Sequence, residues 1–221
     1  MIYVVVLLYT IFLFYRYDLK KVRYGFSFHY YTLLILVSSI VGFSYRLGTD
    51  TLAYMSYYDN YITTDIGYTL GHLSEFKYEP IWVILNTMCK TIWDDFALVQ
   101  IAVAIFVNTV IFWFIKKHSP YIFAGLFFYF IIQFWNVNFE IKRESMAISF
   151  FLIAIDNLLC DKMKIKNYIK YYAWCIPAIF CHRFAFLVLI YPLLSQIRWS
   201  KVSFGMLFVF FYPVSSRLSV Y

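Results

Sequence analysis

Seven long apolar runs, separated by short polar stretches, constrain the fold of this 221-residue chain more than any other feature. The runs occupy residues 2–15, 31–45, 96–115, 121–135, 145–160, 171–195 and 202–214. A helix crosses a bilayer with about 20 mainly apolar residues, and flanking aromatic or long basic side chains can extend a shorter run. We therefore expect an all-α polytopic integral membrane protein with about 7–8 transmembrane or broken helices.

The composition supports this class. Hydrophobic residues make up 63% of the chain and charged residues only 14%, whereas a soluble domain carries about 25% charged residues. The net charge is +7, but no basic stripe of the kind that binds nucleic acid is present, so no nucleic-acid partner is expected. The four cysteines lack CxxC spacing and lie in apolar surroundings, and we interpret them as small buried residues: Cys89, Cys160, Cys175 and Cys181.

The placement of Lys and Arg predicts the orientation in the membrane, because cytoplasmic loops are enriched in these residues. Four loops carry this enrichment and are assigned to the inside: residues 16–29, 116–117, 162–170 and 198–201. The acid-rich segment 46–79, the segment 136–144 and the N-terminus are then expected outside.

Within the predicted outer loop, residues 46–95, we expect a helix that lies along the membrane surface. Pro80 can open this helix at its first position. Residues 80–93 are short for a span, and Trp82 and Trp93 near its ends suggest an interfacial location.

The segment 171–195 has two alternatives. A broken helix that turns back near His182 would enter and leave on the cytoplasmic side, and such irregular backbone must line a cavity or be buried in protein. The other alternative is one tilted span with His182 in mid-membrane. The whole chain, 1–221, is interpreted as a single transmembrane domain. It stops within what looks like a further span, which indicates either a truncated C-terminus or a short last helix.

A polar hexapeptide, residues 46–51, follows directly after an apolar run and is the first candidate site. Charged residues at a membrane boundary are costly unless they face water or a ligand. Arg46 offers a planar cation suited to phosphate, and Gly48 permits a tight turn. Asp50 either accepts a proton from a hydroxyl nucleophile or only caps the following helix. The residues after it are interpreted as a sugar-binding surface: Tyr54, Tyr57, Tyr58 and Asp59.

A second candidate lies at residues 140–147. If a helix begins there, Glu140, Arg143 and Glu144 share a face, because residues three and four apart are neighbours on a helix. Arg143 then points toward a cavity, or it is an arginine that snorkels at the interface. Lys142 is interpreted as an interface anchor.

The third candidate is His182, followed by Arg183, inside an apolar run. A histidine there is either a buried structural residue or a base or phosphate donor. Asp156, near the inner end of its helix, is interpreted as structural. The histidines lack metal-binding spacing, and no phosphate-binding loop or nucleophile elbow is present, so neither a metal nor a cofactor is expected.

The sequence motifs at these candidate sites, taken in chain order, resemble those of the EpsG-like, Wzy-type family of bacterial polysaccharide polymerases over roughly residues 30–195. The resemblance consists of Gly48-Thr49-Asp50 followed by Tyr54, Glu79-Pro80 with Trp82, Arg143-Glu144-Ser145-Met146-Ala147, and His182 within an apolar segment. Glu144 stands where the family usually has Gln, and Arg183-Phe184 follow the histidine where a small hydroxylic residue is common.

The resemblance implies a GT-C-like, metal-independent glycosyltransferase with several spans in the bacterial cytoplasmic (inner) membrane. Its substrate would be an undecaprenyl-pyrophosphate-linked oligosaccharide repeat, polymerised at the outer face into O-antigen, capsule or exopolysaccharide. Membrane lipid, a chain-length regulator and a flippase are the further candidate partners.

The resemblance also implies roles for particular residues. Asp50 and His182 would be catalytic, and the arginines would bind the pyrophosphate. The expected substrate-binding residues are Arg46, Gly48, Thr49, Tyr54, Glu140, Arg143, Glu144 and Arg183. Two alternatives remain: a GT-C transferase that adds a single sugar, and a flippase or other transporter of lipid-linked oligosaccharide.

Overall fold

Helices account for all the regular structure among the residues that the structure describes. The structure is a computed structural model and describes residues 2–160 and 164–194, apart from the side chain of Thr49. In chain order the helices are α1 (Ile2–Leu13), a π-helix (Phe14–Leu19), α2 (Phe26–Gly42), α3 (Thr49–Tyr61), α4 (Ile66–Gly71), a 3-10 helix (Leu73–Glu75), α5 (Pro80–Ile92), α6 (Phe96–His118), α7 (Ile122–Ile132), a second π-helix (Asn136–Glu140), α8 (Lys142–Asp156), α9 (Ile165–Cys181), a second 3-10 helix (Arg183–Ile190) and α10 (Tyr191–Leu194). The all-α expectation is confirmed for these residues.

The chain divides into two units, Met1–Phe186 and Leu187–Tyr221. Every site residue predicted from the sequence belongs to the first unit. The predicted run at 202–214 lies outside the described residues.

Within the part of the chain that the structure describes, two helices are long and apolar enough to cross a membrane, Ile2–Leu19 and Phe96–His118. The 23 residues of α6 give a length of about 35 Å, which covers a hydrocarbon core of about 30 Å. The helix opens on Asp95, whose Oδ1 accepts the Ala97 N–H at 2.8 Å. These two helices are consistent with a membrane protein.

Contacts between helix termini define one end of the first unit, called here the basic end. Asp18 Oδ2, after α1, accepts the Ala124 N–H at the start of α7 (2.9 Å). Asp156, at the end of α8, contacts Lys117 Nζ and His118 Nε2 at the end of α6, both at 2.8 Å. Asp156 therefore joins two helix ends, in agreement with its structural interpretation. Three of the predicted inner loops contribute to this end.

The opposite end, called here the loop end, holds α3, α4 and α5. Gln100 Nε2, near the start of α6, donates to the Ser44 carbonyl after α2 (3.2 Å). Thr51 Oγ1, in the first turn of α3, donates to the Phe139 carbonyl before α8 (2.9 Å). The segments 46–79 and 136–144, predicted to share one side of the membrane, therefore lie together.

α9 runs from the basic end to the loop end, and it corrects part of the sequence interpretation. It begins at Ile165, where Asn167 donates to the Asn157 carbonyl (3.0 Å), six residues before the apolar run. It ends at Cys181, because His182 has extended backbone (φ −155°, ψ 119°). The predicted break near His182 is confirmed, so one continuous helix through this segment is wrong, while the return to the cytoplasmic side stays a prediction. Pro177 lies inside the helix and does not mark the break.

α5 confirms the predicted helix at 80–93, with Pro80 at its first position. Trp82 is wrong as an interface anchor, however, because it is 1% exposed and packs on Tyr54 with ring centroids 5.0 Å apart. Among the cysteines, three are buried as expected but Cys160 is exposed, since it follows the last turn of α8 at the basic end.

Candidate functional site

The turn between α2 and α3 depends on Gly48. Its φ is +89°, and a Cβ placed there would collide with the backbone carbonyl of Phe139, so only glycine fits without displacing the chain. The N-cap of α3 is Gly48 itself, without a side-chain cap. The interpretation of Asp50 as the helix cap is therefore wrong. Asp50 lies in the first turn of α3, where its Oδ2 accepts the Tyr54 hydroxyl at 3.5 Å.

Lys142 is buried and does not anchor the interface as predicted, being only 1% exposed. Its Nζ donates to Thr51 Oγ1 at 2.7 Å and to the carbonyls of Asn138 and Phe139 at 3.3 Å. The π-helix that ends at Glu140 turns these carbonyls toward α3, and the lysine satisfies them. Burial lowers the pKa of the Lys142 ammonium to about 8. The negative charges of Glu140 and Asp50 raise this pKa, but burial outweighs them.

Arg143 is held by an ion pair and does not snorkel. Its Nη1 donates to Glu79 Oε2, and its Nε donates to the Tyr54 hydroxyl at 3.3 Å. The guanidinium also lies 4.3 Å from the centre of the Tyr78 ring, a cation–π contact. The Arg143 and Glu79 side chains are 18% and 13% exposed, so the pair is mostly removed from water.

Glu79 is the centre at which two other segments meet, the first turn of α8 and the residues after α9. Its Oε1 accepts the backbone N–H of Arg183 at 3.2 Å and lies 3.6 Å from His182 Nδ1. Burial alone raises the pKa of this carboxyl, but the Arg183 N–H and the Arg143 guanidinium outweigh burial and hold the pKa below its usual value. Glu79 is therefore a carboxylate at neutral pH and positions other groups instead of donating a proton.

His182 lies between two carboxylates. Its Nε2 is 3.2 Å from Glu144 Oε1, within hydrogen-bond distance. Its Nδ1 is buried and has no hydrogen-bond partner among the residues that the structure describes, since 3.6 Å to Glu79 is too long. Buried polar atoms are rarely left without a partner, so Nδ1 marks the centre of this cluster as unusual. We call Glu79, Arg143, His182, Glu144 and Tyr54 the Glu79 cluster.

The guanidiniums of two predicted arginines lie over neighbouring aromatic rings and do not join this cluster. The Arg46 guanidinium lies over the Tyr45 ring at 5.0 Å. Arg183 joins the cluster by its backbone N–H, while its guanidinium lies over Phe184 at 5.6 Å. Glu140 ends the π-helix and the backbone breaks at Ile141, so it does not share the α8 face with Arg143 and Glu144.

The expected sugar-binding surface of α3 is wrong for three of its tyrosines. Tyr54, Tyr57 and Tyr58 are 4%, 9% and 1% exposed, because this face of α3 packs on α5 and α6. The side chain of Thr49 lies outside the described residues. Among residues 2–160 and 164–194, no group of three His, Cys, Asp or Glu side chains is placed to hold a metal ion.

Reasoning from the sequence did not assign a role in the site to Glu79 or Tyr78, and it interpreted Lys142 only as an interface anchor. A signal existed for Glu79, since the Glu79-Pro80 pair was one of the motifs in the family resemblance. The sequence carries no comparable signal for Tyr78 or Lys142, whose roles depend on partners from α3 and α8.

Comparison with known proteins gives one match. The EpsG family model matches residues 27–219, a stretch that contains the Gly48 turn and all of the Glu79 cluster. No curated protein and no solved structure matches the chain.

Proposed function

The chain belongs to the EpsG family of Wzy-type polysaccharide polymerase-like proteins, and on that premise we propose that it polymerises lipid-linked oligosaccharide repeats. The substrate is an oligosaccharide repeat on undecaprenyl pyrophosphate, and the product is a longer chain on the same carrier. The observation that carries this proposal is the Glu79 cluster, in which three separate segments bring a carboxylate, an arginine and a histidine together at one end of the helices.

We place the protein in the bacterial cytoplasmic membrane with the basic end inside. The reason is that Lys and Arg are enriched on the cytoplasmic side, and the loops 16–29 and 116–117 lie at that end. The loop end then faces outward, where a polymerase meets repeats that have been transported across the membrane. Six helices, α1, α2, α6, α7, α8 and α9, run between the two ends in a GT-C-like arrangement of spans.

The reaction is a glycosyl transfer. A hydroxyl oxygen at the non-reducing end of the incoming repeat attacks the anomeric carbon of the growing chain. The bond from that carbon to the pyrophosphate oxygen breaks, and its electron pair leaves with the carrier pyrophosphate. The hydroxyl proton passes to a base on the protein.

Arg143 binds the departing pyrophosphate. Its Nη1 and Nε donate to Glu79 and Tyr54, and its Nη2 has no hydrogen-bond partner in the described part of the chain. An anion can therefore bind at Nη2 without displacing Glu79, through a charge-assisted hydrogen bond. The exposed guanidiniums of Arg46 and Arg183 supply further positive charge at the mouth of the site.

His182 is the base. Glu144 contacts Nε2 and favours the tautomer with the proton on that atom, so this carboxylate orients the imidazole ring. Asp50 acts on the site indirectly, through Tyr54. The Tyr54 hydroxyl donates to the Asp50 carboxylate and accepts from Arg143 Nε.

The test is complementation of a deletion strain, with the lipid-linked and surface glycans resolved by gel and mass spectrometry. The deletion strain should accumulate one complete repeat in place of polymer. Arg143→Ala and His182→Gln should do the same at normal abundance in the membrane, whereas Arg23→Ala, an exposed arginine at the basic end, should restore polymer. Full-length polymer from Arg143→Ala would refute its role.

The same glycan profile separates the alternatives. Complete repeats held on the cytoplasmic leaflet would indicate a flippase. An incomplete repeat would indicate a transferase that adds a single sugar.

A further inference from the structure

A cavity of about 470 Å³ lies beside the Glu79 cluster. Its walls come from one face of α3 and from the segment that leads into Glu79, and its lining residues are Ala53, Ser56, Tyr57, Tyr61, Glu75, Lys77 and Tyr78. The helix residues are three and four positions apart, so they line the cavity as one stripe.

The cavity is built around three tyrosines. The Tyr57 and Tyr61 rings are stacked, with centroids 5.1 Å apart and planes at 22°. Tyr78 meets Tyr57 edge-on at 4.6 Å, and the Tyr57 hydroxyl accepts the backbone N–H of Lys77 at 3.0 Å. The segment that contains Tyr78 is therefore fixed to α3, and the cavity is a formed feature of the loop end.

Tyr78 connects this cavity to the Glu79 cluster. It lines the cavity, and the Arg143 guanidinium lies 4.3 Å from the centre of its ring. A ligand in the cavity therefore lies one aromatic ring away from the group that is proposed to bind pyrophosphate. That spacing suits a molecule with one sugar at the reaction centre and a neighbouring sugar in the cavity.

The chemistry of the lining fits a saccharide. Tyr61 is 67% exposed and presents a flat apolar face with a hydroxyl at its rim, as Tyr does in binding sites. Ser56 offers a hydroxyl, and Glu75 and Lys77 offer an acceptor and a donor. No ion pair joins Glu75 to Lys77 within the described residues, and the Lys77 ammonium lies over the Tyr78 ring at 5.3 Å, so an acceptor and a donor that are not paired with each other line the cavity.

We propose that this cavity is a saccharide subsite, in which Tyr61 stacks on a sugar ring of the repeat-unit oligosaccharide while a linked sugar lies at the Glu79 cluster. The proposal rests on the proposed function and adds to it a substrate position outside the reacting bond. The growing chain and the incoming repeat present the same sugars, so either can supply the ligand.

The test measures binding of lipid-free oligosaccharide to the full-length protein in nanodiscs. One probe is the single repeat released by mild acid from lipid-linked repeats of the deletion strain, and the other is a fragment of several repeats from the mature polymer. Tyr61→Ala should weaken binding about tenfold, and Tyr61→Trp should retain it. Tyr24→Ala is the matched control, since Tyr24 is 86% exposed at the basic end.

The two probes identify the source of the sugar. A Tyr61→Ala effect on the single repeat assigns the subsite to the incoming repeat, and an effect only on the longer fragment assigns it to the growing chain. Equal binding by wild type and Tyr61→Ala on both probes, or an equal loss in Tyr24→Ala, would overturn the proposal. Because binding is read without turnover, this result is independent of whether Arg143→Ala abolishes polymer.

Discussion

Gly48→Ala should destabilise the loop end, because two separate effects act at one position. The backbone at Gly48 has φ +89°, and holding a residue other than glycine in such a sparsely populated region costs of order 1–3 kcal/mol. The added Cβ would also collide with the Phe139 carbonyl, and displacing a well-packed neighbour costs about 1–3 kcal/mol. The expected loss of unfolding free energy is therefore roughly 2–6 kcal/mol.

The displaced carbonyl matters for the site as well as for stability. The Phe139 oxygen also accepts from Thr51 and Lys142, and α8 begins directly after this segment. A shift of Phe139 therefore moves the first turn of α8, which carries Arg143. We expect Gly48→Ala to reduce polymer formation together with thermal stability.

The assay is thermal unfolding of purified protein by intrinsic fluorescence. At roughly 2–4 °C per kcal/mol for a chain of this size, the midpoint should fall by about 4–24 °C. Gly71→Ala is the matched control, since a Cβ at Gly71 meets no atom within 4 Å, and it should leave the midpoint within about 1 °C. Equal midpoints for the two variants would refute the reasoning.

The remaining predictions concern two charged groups. Glu79→Gln should leave the half-buried Arg143 charge unpaired and lower stability by roughly 1–3 kcal/mol. The pKa of Glu79 is depressed in the folded protein. The carboxylate therefore contributes to the free energy of unfolding above the unfolded pKa of about 4.3, and this contribution is lost as pH falls through the folded pKa. Lys142→Met should show the opposite pH dependence. The folded pKa of Lys142 is about 8, so its unfavourable contribution, up to about 3 kcal/mol, is fully present below pH 8 and disappears as pH rises toward 10.5.

Both predictions are read as differences between wild type and variant in unfolding midpoint across pH. Groups that titrate in both proteins cancel, so the difference reports the substituted residue. A wild-type advantage over Glu79→Gln that does not shrink in acid would contradict the first prediction. A difference between wild type and Lys142→Met that stays flat from pH 7 to 10 would contradict the second.

Features of the fold that depend on local signals could be predicted from the sequence. Pro80 marked the start of α5 because proline is accommodated at the first helical position. The loops around Lys21 and Lys117 were placed on one side because charge is excluded from an apolar layer, and the structure brings these loops to one end.

Features that depend on partner choice could not be predicted. Glu79 and Arg143 are 64 positions apart, and no local pattern specifies that they pair. The π-helix before α8 and the break at Ile141 likewise follow from tertiary packing. Without them, Glu140 would lie on the α8 face and Lys142 would point outward, which is what helical spacing indicated.

The exposure of the Glu79–Arg143 pair links the stability of the loop end to its proposed activity. Either charge alone would be costly at 13–18% exposure, since a half-buried charge without a partner loses its hydration. Glu79 also accepts from the backbone of Arg183, so the end of α9 is held in place by the same carboxylate that orients Arg143. An incoming pyrophosphate therefore meets an arginine whose position is already fixed, and binding it requires no reorganisation of the pair. Such preorganised charge is the arrangement that stabilises a departing anion most effectively.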